Sequence, residues 1–264
     1  MKNCIPVEEK SVKPMYKLKF LPWTVGLLGI LACLLRGSLY AFFTDARNLL
    51  PESHPAQITL WVLTAAALLV ILPAFRMVSP EGSGRFFGRS MAAALGHILL
   101  AAGILLTVAG YPPAMAGPLG QLWKLLGVVS APLLVYGGFS RALGKRPFFL
   151  SYVAVSVFFA LHLVCHYRAW CSDPQLQNYV FAFTGSLGLM MFSYYQGAAC
   201  VGLGNCRLQL LSGLMSAYLC LASLPACRYA LLYLTGAVWA LTSLCPADGV
   251  LSRHEKAGDS RETS

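Results

Sequence analysis

Apolar runs of about 20 residues recur along nearly the whole of this 264-residue chain, and they constrain its fold more than any other feature. An α-helix of that length rises about 30 Å, which is the thickness of the hydrocarbon core of a bilayer. Hydrophobic residues make up 57% of the chain and charged residues only 11%, whereas a soluble domain carries about 25% charged residues. The pattern predicts an all-α, polytopic membrane protein. It argues against a β-barrel, whose strands would alternate apolar and polar residues.

Breakers and charged residues divide the apolar region into about eight predicted transmembrane helices. The first run contains Arg36, is too long for a signal-peptide core and lacks a cleavage site, so it is predicted to span the membrane. The last two runs are separated only by residues 225–228, where a tight helical hairpin is favoured over a single re-entrant element. The predicted spans are 20–43, 57–79, 90–111, 119–140, 147–168, 178–202, 208–225 and 229–246.

The distribution of basic residues predicts the orientation of the bundle. With the N-terminus inside, fifteen lysines and arginines flank the spans on the cytoplasmic side and three flank them on the outside, as the positive-inside rule requires. Both termini are therefore expected in the cytoplasm. The chain divides into a basic N-terminal segment over 1–19, a single helical bundle over 20–246 and a disordered tail over 247–264.

The net charge of +10 has two readings. A nucleic-acid-binding domain would gather its basic residues into a patch on a folded surface, whereas here they lie in short loops and near the N-terminus. We therefore expect no nucleic acid as a partner. The bilayer is the expected partner, and the cell (cytoplasmic) membrane is the expected location.

Ionisable side chains within the predicted spans indicate where a site could lie, because such residues usually face the bundle interior or a water-filled cavity. Arg36, Lys124 and His162 fall at similar depths in the outer half of their spans, and His97 falls in the inner half. No Asp or Glu falls within a predicted span. The hypothesis is an outward-facing cavity that binds a small anionic ligand. Its lining residues are Arg36, Tyr40, Gln121, Lys124, His162 and His166.

Two other accounts fit the same cations. Arginine and lysine near helix ends can extend to the interface and meet ordinary lipid phosphates. Alternatively, Arg36 can pair with Asp45 or Asp173 from the predicted outer loops. Neither account requires a ligand.

The stretch LHLVCHYRAWC at 161–171 raises the question of a metal site. His162 and His166 stand one helical turn apart with Cys165 between them, a spacing that zinc sites use. Only Cys171 and Asp173 could complete the ligand set locally, and the aromatic residues nearby are typical of a membrane-interface belt. We therefore expect no metal and no cofactor. If the outer face is oxidising, Cys171 could form a disulfide with Cys165 or Cys227.

The sequence favours a non-enzymatic role. Ser186 lies in TGSLG with His162 as a conceivable base, but no third group orients the histidine. The leading function is transport, or binding in support of transport, of a small anionic or amphipathic solute. The alternative is a non-transporting membrane subunit, sensor or assembly partner that acts through another membrane protein.

Overall fold

The computed structural model describes residues 20–43, 54–78, 88–110, 117–171 and 176–245. Within these ranges all the regular secondary structure is helical. Six of the described helices are long and apolar enough to cross a membrane. The prediction of an all-α polytopic membrane protein is confirmed. The predicted terminal segments and the carboxylates of Asp45 and Asp173 lie outside the described residues.

Eight α-helices run through the described ranges, and each begins and ends within three residues of a predicted span. A short 3-10 turn, Leu224–Ala226, separates the last two, which pack against each other. The tight helical hairpin is therefore confirmed at this point. The helices are α1 Leu21–Phe42, α2 Pro55–Met77, α3 Met91–Gly110, α4 Pro118–Ala142, α5 Phe149–Cys171, α6 Leu176–Cys200, α7 Cys206–Ser223 and α8 Ala230–Leu244.

Local sequence explains several helix boundaries. Proline occupies the first turns of α1, α2 and α4, where the missing N–H costs nothing. The Asn205 side chain accepts hydrogen bonds from the first turn of α7, which is the usual role of an N-cap. Gly202 follows α6 with φ of +83°, and the Leu203 N–H returns to the Ala198 carbonyl. Gly202 therefore terminates the helix, and the predicted span extends two residues too far.

Six helices form a closed ring in chain order. Each helix from α3 to α8 packs against the next, and α8 packs against α3, while α1 and α2 pack against α7. Successive ring helices run in opposite directions, as the pairs Gly185–Cys220 and Gly188–Ser216 between α6 and α7 show. The arrangement gives the bundle two ends. α1, α3, α5 and α7 finish at the end named here the Arg36 end, and α4, α6 and α8 finish at the Arg141 end.

Aromatic side chains fill the interior of the ring. Trp123, Phe158, Phe192 and Trp239 are each fully buried. Phe192 and Trp239 meet with ring centroids 4.9 Å apart, and Trp123 and Phe158 stack at 5.8 Å. The interior is therefore a packed core, and its polar side chains lie among aromatic rings.

Candidate functional site

Arg36 is buried at the end of the bundle that carries its name. Only 1% of the residue is exposed. Its Nη1 donates a hydrogen bond to the Ala222 carbonyl at 3.0 Å. The guanidinium lies 4.8 Å from the centre of the Phe181 ring and 5.6 Å from that of Tyr40, which suits cation–π contact. The inward direction predicted for Arg36 is confirmed, with Tyr40 beside it.

His166 forms two short hydrogen bonds at the same end. Its Nδ1 lies 2.7 Å from the His162 carbonyl and its Nε2 lies 2.6 Å from the Tyr229 hydroxyl. A carbonyl oxygen only accepts, so Nδ1 carries the ring proton and donates. In the neutral imidazole Nε2 then accepts from the tyrosine.

His162 belongs to a longer chain of hydrogen bonds. The Ser186 hydroxyl donates to the Ala182 carbonyl at 3.0 Å and lies 2.6 Å from the Tyr233 hydroxyl. Because the single hydroxyl proton of Ser186 is donated to Ala182, the serine oxygen must accept a hydrogen bond from the Tyr233 hydroxyl. Tyr233 in turn lies 3.3 Å from His162 Nε2, so that nitrogen donates. The two neighbouring histidines therefore carry their protons on different ring nitrogens.

Trp123 occupies the inward position of α4 that the sequence hypothesis gives to Lys124. Its ring centroid lies 6.0 Å from that of His162 and 5.8 Å from that of His166. Gln121 and Lys124 are exposed on the outer surface of the bundle. The expectation that they face the interior is wrong, because the large indole packs against the α5 aromatics and thereby sets the rotation of α4.

The connection between α7 and α8 lies between Arg36 and the histidines. Arg36 contacts Ala222 just before this connection, and His166 contacts Tyr229, the last residue of the connection. Cys227 within it lies in electrostatic range of both Arg36 and Tyr233. The structure thus brings Arg36, Tyr40, His162 and His166 to one end of the bundle. It separates Gln121 and Lys124 from them.

A second polar group lies nearer the Arg141 end. His97 Nδ1 lies 2.6 Å from the Ala93 carbonyl, and its Nε2 lies 2.9 Å from the Tyr152 hydroxyl. Arg141, at the end of α4, is 1% exposed and lies in electrostatic range of His97 and Tyr152. The predicted separation of His97 from the outer cations is confirmed.

Sequence reasoning missed Arg141, because the predicted fourth span ends at residue 140 and leaves this arginine among the flanking cytoplasmic charges. The missed signal is the stripe of inward positions along α4. The stripe passes through Trp123, Gly127, Leu134 and Gly137 and reaches Arg141 one turn later. A helix that continues to residue 142 therefore carries this arginine into the ring.

The thiols and histidines bear on the metal and disulfide questions. Among the described residues, no group of three or more His, Cys, Asp or Glu side chains could hold a metal ion. Cys165 and Cys227 are both free thiols, so neither forms the disulfide considered for it. Burial raises the pKa of the Cys227 thiol to about 11. Cys227 is therefore protonated at neutral pH.

The chain matches no protein family model, no curated protein and no solved structure.

Proposed function

We propose that this multi-pass membrane protein binds a small anionic or amphipathic solute at the Arg36 end and transports it through the ring. The buried guanidinium of Arg36, at the same end of the bundle as a histidine–tyrosine network, is the observation that carries the proposal. An arginine keeps its positive charge at any physiological pH. A site with a fixed cation and several hydroxyl and imidazole groups is complementary to an anion.

The surroundings of Arg36 favour an amphipathic solute. Phe181 contacts its guanidinium, and Trp123 forms an aromatic wall beside His162 and His166. Sites for small organic molecules combine such apolar walls with a few placed polar groups. An organic anion could therefore use both its charge and its apolar part.

Two polar groups separated by aromatic residues favour transport over binding alone. Along α5, Phe158 and Phe159 lie between Tyr152 and His162, and both are fully buried. A path with polar groups near each end and an apolar middle is closed at rest and opens by rearrangement of the helices. The positive-inside bias of the sequence assigns the Arg36 end to the outside of the cell membrane.

We propose a non-enzymatic role for the same residues. Ser186 is fully buried, and its hydroxyl proton is directed to the Ala182 carbonyl. Its neighbour in the network is the Tyr233 hydroxyl, at 2.6 Å, instead of a histidine base. This geometry supports a structural hydrogen bond and does not favour a nucleophile.

Thermal unfolding of the detergent-purified chain tests the proposal with a panel of organic and inorganic anions. A ligand at 100 times its dissociation constant raises the free energy of unfolding by about 2.7 kcal/mol. We expect one anion class to stabilise the protein, and we expect Arg36→Gln and His166→Gln to remove that effect. Lys124→Gln is the matched control, because it removes one positive charge from the outer surface.

The outcomes separate the two function classes. A shift that Lys124→Gln retains and Arg36→Gln loses supports the site at the Arg36 end. Shifts that are equal in all variants for every anion in the panel contradict it. If no anion shifts the unfolding temperature and the protein co-purifies with a second membrane protein, a subunit, sensor or assembly role replaces transport.

A further inference from the structure

Near the Arg141 end, five helices place polar side chains on the inner surface of the ring. They are α3, which carries His97, and α4, α5, α7 and α8. Trp239 of α8 packs against two of these polar side chains, since its ring centroid lies 5.8 Å from that of His97 and 6.5 Å from that of Tyr152 on α5. Ser243 lies one helical turn beyond Trp239 on α8, toward the Arg141 end. We name the following residues the Arg141 cluster: Arg141, Ser151, Gln209, Trp239 and Ser243.

Gln209 lies on α7 at the same end of the ring. Gly213, one turn further along α7, packs against Phe192 and against Leu244, the residue after Ser243. Phe192 in turn contacts Trp239 at 4.9 Å. Gln209 therefore lies on the same inward stripe of α7, one turn closer to the Arg141 end. All five residues of the cluster are at most 1% exposed.

Several polar atoms of the cluster have no hydrogen-bond partner among the described residues. They are both amide atoms of Gln209, the Ser151 and Ser243 hydroxyl oxygens and Trp239 Nε1. A buried polar atom without a partner costs about 1–3 kcal/mol. Four buried side chains with unpartnered polar atoms at one end of the ring are too many for an apolar core. This region is therefore suited to binding a polar ligand.

The chemistry of the cluster identifies the class of ligand. The indole and the amide nitrogen only donate, and each hydroxyl can donate. Arg141 adds a permanent positive charge within electrostatic range of Tyr152. The amide oxygen of Gln209 is the one obligate acceptor among these side-chain atoms. A donor-rich, positively charged site is complementary to an oxyanion, which offers several acceptor atoms and a negative charge.

We propose that the Arg141 cluster is a second binding site, which takes an anionic oxygen group, a phosphate or a carboxylate, inside the ring. The site is distinct from the one at the Arg36 end and does not depend on it. The anionic group can belong to a free anion or to the headgroup of a phospholipid. The chemistry is the same in both cases, and the experiment distinguishes the sources.

The test measures thermal unfolding of lipid-depleted, detergent-purified protein at constant ionic strength. Inorganic phosphate and acetate, each against chloride, provide the free anions, and short-chain phosphatidylglycerol against phosphatidylcholine provides the headgroup. Gln209→Leu is the central variant, because leucine fills a similar volume without polar atoms. Gln121→Leu is its matched control, since Gln121 is exposed on the outer surface.

We expect at least one of these anions to raise the unfolding temperature of the unmodified protein and of Gln121→Leu. For Gln209→Leu we expect affinity at least tenfold weaker. Stabilisation by phosphate or acetate identifies a free anion, and stabilisation by phosphatidylglycerol alone identifies a headgroup. Arg36→Gln should retain the response that Gln209→Leu weakens, whereas an anion response that Arg36→Gln removes and Gln209→Leu retains belongs to the site at the Arg36 end.

Two results would overturn the proposal. One is that phosphate, acetate and phosphatidylglycerol all behave as chloride and phosphatidylcholine do. The other is that Gln209→Leu retains the full effect of the anion. Ser151→Ala provides a second, smaller change that keeps the test decisive if Gln209→Leu expresses poorly.

Discussion

Three buried histidines form hydrogen bonds with tyrosines distant in sequence, and their partners determine which ring nitrogen carries the proton. His97 and His166 each have a backbone carbonyl at Nδ1 and a tyrosine hydroxyl at Nε2. We therefore predict Nδ1–H for both, and Nε2–H for His162. Solid-state ¹⁵N NMR of histidine-labelled protein distinguishes protonated from unprotonated ring nitrogens. Three identical tautomers would contradict the hydrogen-bond chain through Tyr233 and Ser186.

Tyr229 allows a stability prediction at the same scale. In Tyr229→Phe, the buried Nε2 of His166 loses the hydroxyl that lies 2.6 Å away. The free energy of unfolding should fall by about 1 kcal/mol, since buried hydrogen bonds in membrane proteins contribute amounts of that order. Chemical or thermal unfolding in detergent measures the change. Tyr194→Phe is the control, because Tyr194 is 57% exposed, and an equal loss in both variants would contradict the role assigned to Tyr229.

At the scale of helices, the α6–α7 contact depends on glycines that let two backbones approach. A methyl group at Gly188 would lie 2.8 Å from Ser216 Cβ and 3.0 Å from its Cα. Backbone atoms cannot move aside as a flexible side chain can, so Gly188→Ala must push α7 away from α6. We expect a loss of about 1–3 kcal/mol in unfolding free energy, which is the usual cost of overpacking.

Gly110→Ala is the control for this element-scale prediction. Gly110 is the last residue of α3, and a methyl group there would have no atom within 4 Å among the described residues. That substitution should leave stability unchanged or raise it by up to about 1 kcal/mol, because alanine reduces the freedom of the unfolded chain. If both substitutions have the same effect, close packing at Gly188 does not hold the two helices together.

Hydropathy and charge were sufficient to predict the helices. Crossing a bilayer requires long apolar runs, and these end at helix-breaking or charged residues. They were not sufficient to predict which way each helix faces. Placing Lys124 inside assumed that a cation in a span is buried, yet near a helix end lysine can reach the interface at low cost. The indole of Trp123, which packs on Phe158, settles the rotation instead.

The partners of the histidines were beyond sequence reasoning for a related reason. His162 and Tyr233 are 71 residues apart, and His97 and Tyr152 are 55 apart. Alternating helix directions bring them to the same depth, but depth alone does not say which of several helices are neighbours. The closure of α8 against α3 supplies that information, and no local pattern in the sequence specifies it.

At the scale of the whole molecule, the orientation of the bundle is a prediction that labelling can test. Lys145 follows α4 at the Arg141 end, Arg228 precedes α8 at the Arg36 end, and both are exposed. The positive-inside bias predicts that Arg228→Cys reacts with a membrane-impermeant maleimide on intact cells. Lys145→Cys should react only after permeabilisation. Reaction of Lys145→Cys alone on intact cells would invert the bundle and place the site at the Arg36 end in the cytoplasm.

Native Cys227 should interfere little with this labelling, and its own rate of labelling is predicted to depend on pH. Maleimide reacts with the thiolate, and burial raises the pKa of this thiol to about 11. At neutral pH the thiolate fraction of Cys227 is on the order of 10⁻⁴, so the unmodified chain should label slowly at this position. Because the thiol loses its proton as the pH approaches its raised pKa, labelling should accelerate about tenfold per pH unit between pH 7 and 9.

Mass spectrometry of peptides containing Cys227 measures this rate, with Cys227→Ser as the control. Fast, pH-independent labelling of Cys227 would mean that the α7–α8 connection is open to solvent. It would also contradict the burial of Arg36, which lies within electrostatic range of Cys227.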